Sequence, residues 1–367
     1  MFFALTDEQR ALQDTVRSFL RNRFGLDQVR AVYDDLEGDA DPSALWESVG
    51  EQGWLAVCVP EEYDGLGLGL LDATVIARCW GAGAVPGPYL PTLMAAEAIR
   101  LGGSADQQAK LLPQVAAGEL KLALAVRRAG GAWSADGVGV MATGGTLTGT
   151  AAQVDAANVA DLLVVAAADG PDVGLYVVDP ADPGVILETQ TPLDRTTRLS
   201  TVTLESAAGE RLEASSAAVL EAVLERATVL TAADLVGVAR EALTRTVAYD
   251  KERVQFGVPV GSFQAIKHAL ADLHVAITMA EHGVLYAAHA LDEGRPDASV
   301  AVSVAKVKAS DVARDATAAM IQYHGGIGYT WEHDAHFFFK RAKRGEYAFG
   351  DASAHRERIA RLVVDRS

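Results

Sequence analysis

Basic charge is what this sequence has too little of. Only 32 Lys and Arg stand against 49 Asp and Glu, so the 367-residue chain carries a formal charge of −17. A duplex-binding protein needs clustered cations to displace counterions, so nucleic acid is not an expected partner. The acidic surface gives solubility and would steer a basic partner. Cysteine is scarce too. Cys58 and Cys79 offer neither a metal-ligand spacing nor a disulfide framework, which suits a reducing cytoplasm. No uncharged apolar run is long enough to span a bilayer, and the first residues lack a basic region followed by an apolar one. Neither a membrane span nor a signal peptide is expected, and the expected location is cytoplasmic. Aromatics supply only 7% of the residues while alanine is abundant, which favours closely packed helices over an all-β fold. Beyond Pro192 only Pro259 and Pro296 occur, so long uninterrupted helices become possible there.

What is present is ample apolar material, 50% of the chain, enough for a sizeable core and two or three domains. Residues 1–120 read as helices with short breaks. Thr6 can cap the first, and Asp7 and Glu8 suit its positive end; Leu12, Val16, Phe19 and Leu20 then follow at helical spacing. Asp41 and Pro42 would open another helix, continued by Leu45, Trp46 and Val49. Gly65-Leu-Gly-Leu-Gly69 reads as a turn between helices, because no Lys or Ser/Thr follows where a phosphate loop needs one. From about 121 to 208 the period changes. Val138–Val140, Thr146–Thr148, Leu162–Val165, Leu175–Val178, Val185–Leu187 and Leu199–Leu204 are short apolar or alternating runs separated by Gly, Pro and Asp, which predicts a small antiparallel β domain. Residues 209–367 turn helical again. A long segment spans 215–252, a second helix capped by Ser262 runs to Gly294, a third covers 297–324 and stops at Gly325-Gly326, and a last one covers about 350–365. The expected fold is mainly α with a central antiparallel β domain: helical domain, β domain, C-terminal bundle.

Two groups of residues then stand out. One is Arg253-Val-Gln255-Phe256-Gly257 followed by Phe263-Gln264. The other is Gln322-Tyr-His-Gly325-Gly326-Ile-Gly328-Tyr329. Read as chemistry, Arg253 offers a fork of donors suited to phosphate oxygens, Gln255 and Gln264 can donate or accept, and Phe256 and Phe263 can pack on an apolar ring. Gly325 and Gly326 let a backbone approach a ligand closely. Each piece alone also reads as an ordinary helix end, with Gly257 and Gly325 as C-caps and Arg253 as a partner of the helix dipole.

Together, in this spacing, they resemble the acyl-CoA dehydrogenase family. Leu45-Trp46, Gly53-Trp54-Leu55, Pro60-Glu-Glu-Tyr63-Asp-Gly65 and Pro86-Gly-Pro88-Tyr89-Leu-Pro91-Thr92 are similar to its N-terminal segments, so the resemblance covers nearly the whole chain. It implies a helical domain, a β-barrel-like domain and a C-terminal four-helix bundle. It also implies FAD as cofactor and α,β-desaturation of an acyl-CoA thioester. In that family the set Arg253, Gln255, Phe256, Phe263, Gln264, Gln322, Gly325 and Gly326 reaches across a subunit interface to the flavin of a partner.

The residues by which a subunit of the family holds its own flavin are different here. The usual Thr-Glu-x-x-x-Gly-Ser-Asp segment corresponds to Val126-Arg127-Arg128-Ala129-Gly130-Gly131, and the usual Trp-Ile-Thr/Ser segment to Gln153-Val154-Asp155-Ala156. The closing Tyr-Glu-Gly-Thr-x-Gln segment corresponds to Ala348-Phe349-Gly350-Asp351-Ala352-Ser353, so Phe349 stands where the catalytic base usually is. Desaturation needs a carboxylate for the α-proton, which phenylalanine cannot supply. Some members of the family carry the base on the preceding long helix. There Asp234 is a lone carboxylate among apolar neighbours, and Glu225 also reads as part of a solvated face.

Three readings follow. The chain is the non-catalytic subunit of a heteromeric enzyme, partnered by a catalytic acyl-CoA dehydrogenase subunit. Or it is a homotetrameric dehydrogenase with Asp234 or Glu225 as a displaced base. Or it is a scaffold that has lost the flavin. Heteromers of this kind are associated with bulky acyl groups such as sterol side chains, and the family usually passes electrons to an electron-transfer flavoprotein. No metal is expected: His333 and His336 lack a third ligand in register. Lys340-Arg341-Ala-Lys343-Arg344 reads as a solvated helix face, or else as an attraction for phosphate groups.

Overall fold

The structure, a computed structural model, describes residues 4–35 and 43–364. The expected cap at Asp41 and Pro42 lies outside them. Six helices come first: α1 (Asp7–Arg23), α2 (Leu26–Asp34), α3 (Ser43–Glu51), α4 (Leu70–Gly83), α5 (Tyr89–Gly102) and α6 (Ala105–Ala116). Strands follow: β1 (Leu122–Ala125), β2 (Val140–Thr143), β3 (Thr146–Asp155), β4 (Leu162–Asp169), β5 (Asp172–Val178), β6 (Val185–Thr189), β7 (Leu199–Ala208) and β8 (Glu210–Arg211). Then come α7 (Ala217–Glu252), a hairpin of β9 (Val254–Gln255) and β10 (Val258–Pro259), α8 (Gln264–Asp292), α9 (Ala298–His324), α10 (Ala335–Tyr347) and α11 (Ala352–Val363). Helices, sheet, helices is the order expected from the sequence. No described helix is long and apolar enough to cross a membrane.

Two compact units share the chain: Met1–Glu37 with Leu70–Val85 and Thr228–Ser367, and Gly38–Gly69 with Pro86–Ala227. The second unit holds the sheet. Its strand order is β6-β7-β3-β2-β4-β5-β8, with β1 added on β4. Alternating residues of β3, β4, β5 and β7, among them Leu147, Leu163, Val165, Tyr176, Val202 and Leu204, form its core. The sheet is not wholly antiparallel: β1 runs parallel to β4, and β2 meets β4 in parallel at Met141 and Ala168. β1 is short and buried, and alternation alone carries no strand direction, so that pairing was not readable from its four residues. The glycine-rich segment at 65–69 is a turn, and Gly65 is required there. A Cβ at this position would stand 1.9 Å from the Val59 carbonyl oxygen.

In the first unit Thr6 caps α1 as expected, and reciprocally. Its hydroxyl accepts from the Gln9 N–H while the Gln9 side chain accepts from the Thr6 N–H. Val16 and Leu20 are the fully buried positions of that helix. Asp292, at the end of α8, caps α4 by accepting from the N–H groups of Leu70 and Leu71. Ser262 does not cap α8; its hydroxyl donates back to the Pro259 carbonyl at 2.6 Å, and Phe263 occupies the cap position. α9 packs against α8, α10 and α11. Its buried residues are mostly Ala, Ser and Val, small enough for three helices to surround it closely.

Three sequence expectations are corrected here. Asp234 is not a lone carboxylate. It is 2% exposed, and Arg341, also 2% exposed, donates to it from Nε at 3.1 and 3.2 Å and from Nη2 at 2.6 Å. Arg341 Nη1 also donates to the Val85 carbonyl. The basic run 340–344 is therefore not a uniform solvated face. Arg341 points into the core of the unit, while Lys340 lies 4.5 Å over the Trp331 ring and Lys343 pairs with Glu346. Glu225, in the second unit, is buried as well, not on a solvated face.

The pair generates a stability prediction. Arg341→Met strands a buried carboxylate and should cost roughly 3–5 kcal/mol, whereas Arg341→Met combined with Asp234→Leu should recover most of that loss. Denaturant melts of the three proteins measure it, and a double variant as weak as the single one contradicts it. A second prediction concerns acid. Loss of water, helped by Lys340 beside His336 and Lys306 beside His355, pushes each imidazole down to about 4 from an ordinary 6.5. Below 6.5 the unfolded chain takes up protons that the fold refuses, so stability present above 6.5 is lost as pH falls towards 4. Asp250 opposes this: desolvation raises its carboxyl to about 6, a contribution full below 3.8 and lost as pH rises to about 6. The melting temperature should drop between pH 6.5 and 4, and His355→Gln should flatten the drop. A melting temperature that rises through that window would show that proton uptake by Asp250 outweighs the histidines.

Candidate functional site

The segment after α7 is a tight hairpin. Val258 pairs with Gln255 and Pro259 with Val254, leaving Phe256 and Gly257 as a two-residue loop. Both have positive φ, 53° and 81°, as the turn type matching strand twist requires. Glycine takes that conformation freely; phenylalanine does so at a cost. Phe256 is nonetheless 93% exposed, touching Phe263 edge-on at 6.3 Å. An apolar ring is thus held out on a strained turn, gaining nothing from burial within its own chain. Val254 and Val258 are exposed beside it, as is Arg253, which makes no ion pair among the described residues. Gln255 hydrogen-bonds only its neighbour's carbonyl, and Gln264 is exposed in the first turn of α8.

The second group lies at the end of α9. Gly325 has φ 65° and ψ −141°, and its N–H donates to the Gln322 carbonyl, so it is a helix C-cap. Gln322, Gly325 and Gly326 are exposed, and Tyr329 is 88% exposed. One contact that the motifs did not reveal joins the ends of α7 and α9. Buried His324 stacks on Tyr249 with centroids 4.3 Å apart and planes 23° from parallel. His324 Nδ1 is 2.7 Å from the Met320 carbonyl, and desolvation lowers its pKa. The signal was in the sequence: Tyr249 sits one turn before Arg253, and His324 directly before Gly325. His333 packs on His324 at 4.5 Å, and His336 stacks on Trp331. No three His, Cys, Asp or Glu gather as a metal set among the described residues.

In the second unit the two segments that depart from the family pattern meet each other. Arg127 donates to the Gln153 side chain and to the Gly131 carbonyl, and its guanidinium lies 4.9 Å over the Trp133 ring. The Ala152 N–H donates to the Arg127 carbonyl, and Arg128 donates to the carbonyls of Asp136 and Val138. Gln153 and Ala156 both have positive φ. Strand ends and side chains here form a knot around Arg127, whose buried Nε alone lacks a partner in it while Gln153 faces solvent.

The turn holding Phe349 is equally well tied. Lys306, fully buried on α9, donates to the carbonyls of Glu346 and Gly350 at 2.9 Å each and to the Ser310 hydroxyl. Burial pushes its ammonium down to about 7. His355 Nε2 is 3.0 Å from the Phe349 carbonyl, and Asp351 caps α11 through the Ala354 N–H. Phe349 has φ 56° and Gly350 φ 99°. The turn is specified through its backbone, and its one carboxylate, Asp351, is engaged as a cap.

Comparison with known proteins follows this geometry. Residues 6–119 match the acyl-CoA dehydrogenase N-terminal domain and residues 217–364 the acyl-CoA dehydrogenase C-terminal domain. Acyl-CoA dehydrogenase IpdE2 of Mycobacterium tuberculosis is 34% identical over 337 residues, 92% of this chain and 91% of that protein. Among solved structures, the Tcur3481–Tcur3483 steroid ACAD variant is 32% identical with a TM-score of 0.90, covering 98% of both chains. The ChsE4–ChsE5 complex from Mycobacterium tuberculosis is 26% identical with a TM-score of 0.91 over the whole of both chains. This chain belongs to the acyl-CoA dehydrogenase family.

Proposed function

We propose that this chain is the non-catalytic subunit of a heteromeric, FAD-dependent acyl-CoA dehydrogenase, lending half of a flavin site to a catalytic partner. The observation that carries the proposal is the contrast between two faces. The hairpin presents Phe256 and Arg253 outward at a cost in strain and exposure, whereas the Arg127–Gln153–Trp133 knot closes the segments that would face the chain's own flavin.

The exposed set fits FAD. Arg253 would pair with the pyrophosphate; Gln255, Gln264 and Gln322 would bond its polar groups; Phe256 and Phe263 would cover apolar ring surface; Gly325 and Gly326 would admit close approach. Bound FAD supplies the hydride acceptor for desaturation. The α-proton needs a carboxylate. In this proposal that base belongs to the partner, because Phe349 cannot act and Asp234 is held by Arg341 within the core. Of the two acids named for a homotetrameric reading, Asp234 is paired with Arg341 and Glu225 is left, buried on α7. Similarity to a steroid dehydrogenase and to a two-component complex favours a bulky acyl-CoA, of the sterol side-chain class, as substrate. A cytoplasmic location and an electron-transfer flavoprotein as acceptor complete the proposal.

Flavin counting tests it. The chain expressed alone should be colourless, and co-expression with its catalytic partner should yield a yellow complex with less than one flavin per chain. A yellow homotetramer purified from the chain alone defeats the proposal. Within the complex, Arg253→Ala removes a charge-assisted contact worth roughly 1.5–3 kcal/mol and should release flavin on dilution. Unchanged flavin occupancy would remove Arg253 from the half-site. Glu225→Gln should leave turnover of the complex within a few fold, since loss of a true general base costs about 10²–10⁴. Phe349→Glu should create no activity in the chain alone.

A further inference from the structure

A cleft of about 700 Å³ opens in the first unit among α1, α4, α7 and α8. It lies outside the residues assigned above to flavin. Its charge is out of character for a protein of −17: five guanidiniums line it, Arg17, Arg21, Arg78, Arg240 and Arg245, against two carboxylates, Glu241 and Glu281. Both carboxylates are already taken. Arg240 grips Glu281 through two bonds of 3.0 and 2.7 Å, with Arg78 3.9 Å from the same group, and Arg245 holds Glu241 at 2.7 Å. Arg17 and Arg21, one turn apart on α1, make no ion pair among the described residues. Arg78 is largely buried, and desolvation lowers its pKa; Arg17 and Arg240 add to this as like charges.

Crowded cations at a partly desolvated wall repel one another unless an anion joins them. The excess over the two carboxylates is three charges, more than one carboxylate would offset. Planar guanidinium forks match phosphate oxygens in pairs. The volume lies within the roughly 300–1,000 Å³ of small-molecule sites. Leu20, Phe24 and Leu26 add an apolar wall at the end of α1, which a flat ring would cover. We infer that this cleft binds a small organic polyphosphate of the nucleoside di- or triphosphate class.

Calorimetric titration of the purified, flavin-loaded complex with ATP, ADP and inorganic pyrophosphate tests this, with flavin absorbance recorded throughout. ATP should bind saturably and more tightly than pyrophosphate, with affinity falling as salt rises. Arg17→Ala and Arg21→Ala should each weaken it about tenfold, whereas Arg295→Ala, outside the cleft, should not. Arg21 is exposed and Arg17 half-buried on α1, away from the flavin residues, so both variants should leave flavin content and turnover unchanged and their readout is independent of the flavin proposal. Absence of saturable binding at millimolar ATP overturns the inference. So does ATP binding that persists undiminished in the double variant, or that displaces flavin. Equal affinity for pyrophosphate and ATP overturns the nucleoside class.

Discussion

The first unit is organised around one buried ion pair, Asp234 with Arg341. It joins three helices at a point where none could yield. α4 approaches α7 so closely that a Cβ at Gly81 would stand 1.9 Å from the Asp234 carbonyl oxygen, and one at Gly237 would stand 2.0 Å from that of Arg78. α10 closes the third side, with Gly345 against Leu235 and Arg341 reaching both Asp234 and the end of the α4 segment at Val85. Two fully desolvated charges add little net stability compared with apolar side chains of the same volume. What they add is register. A carboxylate that must meet a planar fork fixes the axial position and rotation of α10 on α7, and the register of α10 decides where the following turn at 348–351 falls.

That turn is held through its backbone. A Lys306 donor on each of two carbonyls, a His355 ring nitrogen on a third and an Asp351 cap all address backbone atoms. None depends on which side chain occupies position 349. A scaffold that holds a residue through its backbone tolerates exchange of a carboxylate for a phenyl ring without losing shape. The hairpin at 254–259 makes the converse point. There the backbone strain and the exposed ring at Phe256 have no compensation inside the chain. Strain of this kind persists where it serves something beyond local stability.

Much of the fold was legible. Six strands and the long C-terminal helices followed from hydrophobic period and from the placing of proline and glycine, because those signals report which face each residue buries. The parallel seating of β1 on β4 was not legible, since its four apolar residues, Leu-Ala-Leu-Ala, carry no polar alternation to read and no strand direction. The half-site motifs were legible as a spacing, and the structure places Arg253 to Gln264 on one hairpin and helix start, and Gln322 to Gly326 at one helix end. The Asp234 partner lay 107 residues away, in a basic run whose neighbours face outward. A single inward arginine among outward cations is set by helix rotation, which pattern alone left undetermined. Arg127 and Gln153 likewise read as two separate departures from the family pattern, and only the fold showed that their side chains bond each other.

A further consequence of the knot at Arg127 concerns how such a chain would change role. Remodelling this segment is not a matter of one side chain. Arg127 is held by Gln153, Gly131 and the Trp133 ring at once, and the Gln153 backbone is already committed to positive φ. Replacing Arg127 alone would leave the Gln153 amide and the Trp133 face without their partner while the surrounding turns kept their shape. At the hairpin the opposite holds. Arg253, Gln255 and Phe256 have almost no partners within their own chain, so each can change with little effect on the fold. The Arg127 segment is tied by several contacts within the chain, whereas the hairpin makes almost none.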